Sequence, residues 1–156
     1  MKTLAELQAI RDKAREKMAV RDNQQDATRV IVGMATCGIA AGAGRVYDAL
    51  AQALSGTAHE LTIAGCIGMC YLEPIVDIYE ESGALTRLVR VQQKDVPTIA
   101  KAVETGDQSA LAALMITDDD KAFLDQQTRI ALRHCGVINP EKIEDYLPVS
   151  YTHLRA

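Results

Sequence analysis

The chain has 156 residues, a formal net charge of −4 and 48% hydrophobic residues, which suits one domain with appendages and provides enough apolar material for a core. The acidic balance, without a basic run or an aromatic-interleaved basic patch, disfavours nucleic acid and anionic membranes as partners. No apolar stretch reaches spanning length and the N-terminus lacks the apolar core of a signal peptide, so we expect a cytoplasmic protein without membrane insertion.

The first 26 residues predict an amphipathic helix and a linker. Thr3 and Glu6 have the spacing of a capping box, and apolar residues recur at helical spacing over residues 3–20. Such a helix either braces the domain or docks on a partner subunit. The polar residues 21–26 break the pattern, which is typical of a linker.

Residues 27–116 have the pattern of an α/β domain. The predicted elements are a buried strand at 29–34, a Gly-rich turn, a helix ending near residue 54, a strand at 60–64, a hairpin of strands at 75–79 and 85–91, and a helix at 96–106 with Asp95 as its N-cap. This order, βαβ followed by ββα, predicts a thioredoxin-like fold, a mixed β-sheet flanked by helices. The Glu73–Pro74 bond is a candidate for a cis peptide bond, because X-Pro cis bonds concentrate at tight turns.

Residues 117–148 predict a helical arm. The acidic run at 118–120 begins a helix that we expect to extend to about residue 134, and residues 139–141 begin a second, short one. Too few apolar residues are present for a separate core. The segment is therefore expected to be a linker or an arm that packs on another surface.

Three of the four cysteines lie in Gly-rich segments, where clustered thiols of a reducing compartment more often hold a metal or do redox work than form disulfides. Cys37 follows the first strand, whereas Cys66 and Cys70 lie in the loop before the third strand. These turns meet at neighbouring corners of the predicted sheet, so we expect the three thiols to converge as metal ligands. The glycines beside them let the chain wrap a small group and are predicted cofactor-binding residues: Gly38, Gly65 and Gly68.

Other interpretations of these segments fit less well. A thioredoxin-type redox pair needs Cys-x-x-Cys at a helix N-terminus, whereas the spacing from Cys66 to Cys70 is one residue longer and precedes a strand. A structural zinc site more often has two Cys-x2-Cys pairs. A dinucleotide-binding turn fails because Tyr47 occupies its third glycine position. Cysteines in Gly-rich turns are also poorly placed to be buried packing residues.

Two segments carry a resemblance to known proteins: residues 32–43, VGMATCGIAAGA, and residues 65–74, GCIGMCYLEP. With them the chain resembles the thioredoxin-like [2Fe-2S] ferredoxin family over roughly residues 1–116. Within that family it is similar to the ferredoxin-like subunit of NADP-reducing hydrogenases and to the N-terminal module of NADH dehydrogenase-type flavoprotein subunits. Residues 121–147 resemble the segment that introduces the flavin- and NAD-binding part of those subunits.

The resemblance implies an electron-transfer module with a [2Fe-2S] cluster in an NAD(P)H-linked, flavin-containing oxidoreductase. Cys37, Cys66 and Cys70 would hold the cluster, and the partners would be other subunits of a hydrogenase or NADH dehydrogenase complex. FMN and NAD(P) are expected only in a missing C-terminal portion, toward which residues 117–148 would form the arm. The tail at 149–156 does not continue the family pattern and is expected to be non-native or disordered. We expect no catalysis by this chain alone.

The number of ligands departs from the family pattern. Relatives with a full set carry a second cysteine a few residues after the first, where this chain has Gly42. Cys135, His59 or a partner's side chain would complete the set. Without such a ligand, the chain would be a degenerate thioredoxin-like docking module that has lost the cluster.

Overall fold

The computed structural model describes residues 3–22, 28–80, 82–143 and 145–146, and within the first helix it describes side chains from residue 3 to residue 13. The predicted tail at 149–156 and most of the predicted linker at 21–26 lie outside the described residues. Among the described residues, no helix combines the length and the apolar character needed to cross a membrane.

Helix α1, Leu4–Asp22, begins at the predicted capping box. The Thr3 backbone N–H donates to the Glu6 carboxylate at 2.6 Å, and the Glu6 N–H donates to Thr3 Oγ1 at 3.3 Å. Leu4 and Leu7 are 47% and 38% exposed. Leu4 and Leu7 are therefore not buried on the domain as the apolar residues of a brace would be.

Four strands form one mixed sheet, as predicted. They are β1 (Arg29–Gly33), β2 (Glu60–Ala64), β3 (Val76–Tyr79) and β4 (Leu85–Leu88). In the spatial order β2-β1-β3-β4, β1 is parallel to β2 and antiparallel to β3, and β3 and β4 form an antiparallel hairpin. The Glu73–Pro74 peptide bond before β3 is cis, which confirms the prediction.

Strand β4 ends three residues earlier than predicted because the chain turns away from the sheet after Leu88. Arg90 has a positive φ of 53°. Its backbone N–H donates to the carbonyl of Leu72 at 2.8 Å, and the N–H of Val91 donates to the carbonyl of Pro74 at 3.0 Å. The turn thus bonds to the segment that precedes β3 instead of extending the hairpin.

Helices α3 (Ala43–Ala53) and α4 (Val96–Thr105) enclose the main core on one face of the sheet. The short helix α2 (Thr36–Ala41) lies between β1 and α3 in the chain. The apolar stripe of α3, which includes Val46 and Leu50, packs with Val30 and Ile78 of the sheet and with Ile99 of α4. This packing is the helix-flanked mixed sheet that the element order predicts.

The segment after β1 is helical, so its prediction as a Gly-rich turn is wrong. Residues 36–41 form α2, and Gly42, with φ of 106°, ends α2 and begins α3. The alanines of the segment favour a helix, and glycine supplies the left-handed backbone that separates the two helices.

The N-cap prediction for Asp95 is correct in position but not in bonding. Asp95 directly precedes α4, yet its side chain makes no cap hydrogen bond to that helix. The carboxylate instead accepts the Gln92 N–H at 2.9 Å, because residues 93–95 form a short 3₁₀ helix of their own.

The C-terminal arm packs on the domain itself. Helix α5, Asp118–Asp125, is shorter than predicted, and turns follow it. Few apolar side chains are available there to anchor a longer helix, and Ile130 is 80% exposed. Further along, the buried Asn139 donates to Thr62 Oγ1 of β2 at 3.3 Å. The arm thereby covers part of the sheet face opposite the main core.

Candidate metal centre

The sheet topology brings three cysteines to one edge. β1 and β2 are parallel, so the segments that follow them emerge side by side, and β3, antiparallel to β1, enters the sheet at the same edge. Cys37 lies in the first turn of α2, Cys66 follows β2, and Cys70 begins a 3₁₀ helix that leads to β3. The predicted convergence of these cysteines is therefore confirmed.

The three sulfurs form a compact group. The Sγ atoms of Cys37, Cys66 and Cys70 all lie within 4.8 Å of one another. The Sγ atoms of Cys66 and Cys70 are 3.6 Å apart, and all three thiols are free. Cys70 is exposed and the other two are half-buried, so none of the three is a fully buried packing residue.

The three predicted glycines differ in what they contribute. Gly68 has φ of 96°, and its N–H donates to Cys66 Sγ at 3.2 Å, as expected of a backbone amide that supports a sulfur ligand. Gly38 is buried against the carbonyl of Gly33, which shows that it permits close packing of α2 on β1 rather than a turn. Nothing lies within 4 Å of the position that a Cβ on Gly65 would take, so packing does not require glycine there.

A buried carboxyl group, which the sequence did not single out, lies beneath the thiols. Glu73 is only 7% exposed, and its Oε1 accepts a hydrogen bond from Cys37 Sγ at 3.9 Å. Its Oε2 accepts the N–H of Ile75 at 2.9 Å. The only sign of Glu73 in the sequence is its position as an acidic residue between Cys70 and Pro74. Its contact with Cys37 depends on how the loop before β3 folds.

Burial dominates the electrostatics of this group. It raises the pKa of the Cys66 thiol to about 12, and the neighbouring thiols add to that rise while the N–H of Gly68 opposes it. Burial also raises the pKa of Glu73, against the hydrogen bond that its carboxylate accepts from the Ile75 N–H. A thiol with a raised pKa is a poor nucleophile, which argues against a thioredoxin-type redox pair.

A cavity of about 570 Å³ adjoins the thiols. It is lined by the segments that follow Cys37 and Cys70 and by three exposed cations: Arg45, Arg90 and Lys94. None of the three forms an ion pair with another residue that the structure describes. An acidic protein thus has a local positive surface beside its cysteines.

Neither of the two residues expected as a possible fourth ligand joins the group. His59 directly precedes β2, whereas Cys66 follows the other end of that strand. The length of β2, roughly 17 Å, therefore separates His59 from the three cysteines, and His59 Nδ1 accepts the N–H of Thr28 at 3.3 Å. Cys135 lies in the arm outside the three-sulfur group. Its carbonyl accepts a hydrogen bond from Arg129 at 3.3 Å.

The sheet order and the flanking helices are those of a thioredoxin-like fold. The crystal structure of the thioredoxin-like [2Fe-2S] ferredoxin from Aquifex aeolicus matches with a TM-score of 0.50 and 19% identity, over 58% of this chain and 97% of that one. Two cysteine-to-serine variants of that ferredoxin also match with a TM-score of 0.50, at 18% identity over 58% of this chain and 99% of theirs. At these identities the likeness concerns the fold. No known family profile matches the chain, and no curated protein matches it.

The residues present fit an iron–sulfur cluster at three of its four protein ligand positions. Thiolates are the usual ligands of such clusters, and the three sulfurs converge at an edge where a backbone amide faces one of them. Iron bound there would replace the thiol protons, because metals bind the thiolate form. Among the described residues, no fourth cysteine, histidine, aspartate or glutamate places a ligand atom within 4.8 Å of all three sulfurs.

Proposed function

We propose that this protein is an electron-transfer module that carries a [2Fe-2S] cluster on Cys37, Cys66 and Cys70. The observation that carries the proposal is the convergence of three free sulfurs within 4.8 Å at one edge of a thioredoxin-like ferredoxin fold. The bound cluster would supply one-electron transfer. The chain itself would position the sulfurs, donate the Gly68 N–H to one of them and leave Cys70 at the surface, where an electron can enter or leave.

The test is the iron and acid-labile sulfide content of the full chain after anaerobic reconstitution, with EPR after dithionite reduction. We expect about two irons and two sulfides per chain, the content of a [2Fe-2S] cluster. Cys66→Ser is expected to lower the iron content at least tenfold, because it removes a thiolate from the centre of the group. Cys135→Ser is the matched control and should leave it unchanged, since Cys135 lies outside the group.

Wild-type protein without iron or sulfide would contradict the proposal and favour a docking module without a cluster. Zinc bound in place of iron would assign the three cysteines to a structural site. An equal loss of iron from Cys66→Ser and Cys135→Ser would contradict the assignment of ligands.

We further propose that the module works in the cytoplasm within an NAD(P)H-linked, flavin-containing oxidoreductase of NADH dehydrogenase or NADP-reducing hydrogenase type. The support is the resemblance of the two cysteine segments, together with the exposed apolar side chains of the arm, which suit contact with another subunit: Phe123, Ile130 and Leu132. The cationic cavity beside the thiols suits a partner with anionic groups. FMN and NAD(P) would bind to other parts of such a complex.

The rate at which photoreduced FMN reduces the reconstituted protein tests the role of the cavity, because the FMN phosphate is anionic. We expect the second-order rate constant to fall as salt rises from about 10 mM to 500 mM, since salt screens exposed charges. Arg90→Glu should weaken this salt dependence, whereas Lys101→Glu, on an exposed part of α4 outside the cavity lining, should not. A rate that salt does not change would contradict a role for the cavity in docking.

A further inference from the structure

We infer that Glu73 supplies the fourth protein ligand of the metal centre, and this inference rests on the proposed function. The chain has Gly42 where a second cysteine would follow the first, His59 lies at the other end of β2, and the Cys135 thiol lies outside the three-sulfur group although Gly136 beside it packs on Ile67. Glu73 is an acidic side chain that contacts one of the three thiols, that of Cys37. Carboxylate oxygen is an established ligand of iron in proteins.

The carboxylate is held in one orientation. Its Oε2 accepts the Ile75 N–H at 2.9 Å, which leaves Oε1 directed at Cys37, 3.9 Å from its sulfur. With 7% exposure, the side chain has given up most of its contact with water. A buried carboxyl group keeps a negative charge only beside a compensating cation, and among the described residues no cationic side chain bonds to Glu73.

Two glycines make the space that Glu73 occupies. A Cβ on Gly33 would lie 2.9 Å from Oε2, and a Cβ on Gly38 would lie 3.2 Å from the same atom. Any side chain at either position would therefore press on the carboxylate. The end of β1 and α2 together form a pocket for one carboxyl group beside Cys37.

The distances divide the three thiols and the Glu73 carboxylate into two pairs. Two thiolates on one tetrahedral metal with bonds of about 2.3 Å lie roughly 3.8 Å apart, and the sulfurs of Cys66 and Cys70 are 3.6 Å apart. Cys37 and Glu73, 3.9 Å apart, form the second pair. A [2Fe-2S] cluster takes two protein ligands on each iron and accepts non-cysteine ligands on one of them.

The charges of the thiolates and the carboxylate also favour Glu73 as the fourth ligand. Metal binding removes the thiol protons, including the one that Cys37 donates to Glu73. A carboxylate beside three thiolates is repelled unless a cation lies between them. An iron shared by Cys37 and Glu73 would supply that cation.

The experiment compares the wild-type chain with Glu73→Gln and Glu73→Cys after anaerobic reconstitution, using iron and sulfide analysis and Mössbauer spectra of the oxidised protein. The wild-type protein should show two distinct ferric sites, and Glu73→Cys should make them alike, because both irons then have two sulfur ligands. Glu73→Gln should lower iron content at least fivefold. The exposed Glu104→Gln is the control for the same chemical change and should leave content and spectrum unchanged.

A cluster with the same content and spectrum in wild type and Glu73→Gln would overturn the assignment of Glu73 and leave the proposed function intact. Wild-type protein without a cluster would overturn both. These outcomes separate the two proposals.

Discussion

Gly38→Ala is expected to lower the free energy of unfolding by about 3 kcal/mol. Gly38 is buried where α2 packs on the end of β1, and an added Cβ would overlap the carbonyl oxygen of Gly33. That oxygen belongs to the backbone of a central strand, so it cannot move aside as the end of a flexible side chain can. Overpacking of this kind costs about 1–3 kcal/mol and more where the backbone must shift. Urea denaturation of the metal-free chain measures the change.

Gly44→Ala is the matched control for that substitution. Gly44 lies in α3, and no atom lies within 4 Å of the place where its Cβ would be. Alanine in a helix is favoured over glycine by roughly 0.5–1 kcal/mol, so this variant should be slightly more stable than the wild type. Equal stability of the Gly38 and Gly44 variants would show that α2 does not pack on β1 as described.

Arg87→Met is expected to destabilise the fold by about 3–5 kcal/mol. Arg87 of β4 donates from Nε and Nη2 to the two carboxylate oxygens of Asp77 of β3, both at 2.7 Å. Asp77 is 3% exposed, and its burial raises its pKa while the guanidinium opposes that rise. Without Arg87, a buried carboxylate lacks its only ion pair among the described residues, and breaking a buried pair costs about this much. Urea denaturation at pH 7 provides the measurement.

Two further variants identify the cause of that loss. The Asp77→Leu, Arg87→Met double variant should recover most of the stability, because replacing both members of a buried pair by apolar residues is often neutral. Arg45→Met, an exposed arginine without an ion pair among the described residues, should change stability by less than about 0.5 kcal/mol. A double variant no more stable than Arg87→Met would show that lost packing, and not the unpaired carboxylate, causes the effect.

Most of the fold follows from local patterns in the sequence. Short β-branched runs mark β1 and β2, and the helical spacing of Val46 and Leu50 marks α3. Because β1 and β2 are joined by a helix and so are parallel, the positions of Cys37 and Cys66 after those strands are enough to predict that they meet. The pair of Asp77 and Arg87 could also have been predicted from the sequence, since the hairpin of β3 and β4 sets these residues opposite each other.

The rest of the site depends on contacts that no local pattern encodes. The contact between Glu73 and Cys37 arises because the chain folds back through the 3₁₀ helix Cys70–Leu72 before it enters β3. The cationic cavity is formed by residues from three separate segments, so none of them is distinctive alone. Helix α2 was mistaken for a turn because Gly38 lies within it and Gly42 ends it, and of these two only Gly42 has a positive φ.

The arm that covers the second sheet face also contacts the cysteine loop. The Tyr71 hydroxyl donates to Asp120 at 2.6 Å, and Gly136 packs so closely on Ile67 that it leaves no room for a side chain. If the arm detaches from the sheet, it must therefore also release Ile67, which lies between Cys66 and Cys70, and Tyr71, which follows Cys70. Arm and loop should open as one cooperative unit, so their amide hydrogens would exchange with solvent at a common rate, faster than those of β1 and β3.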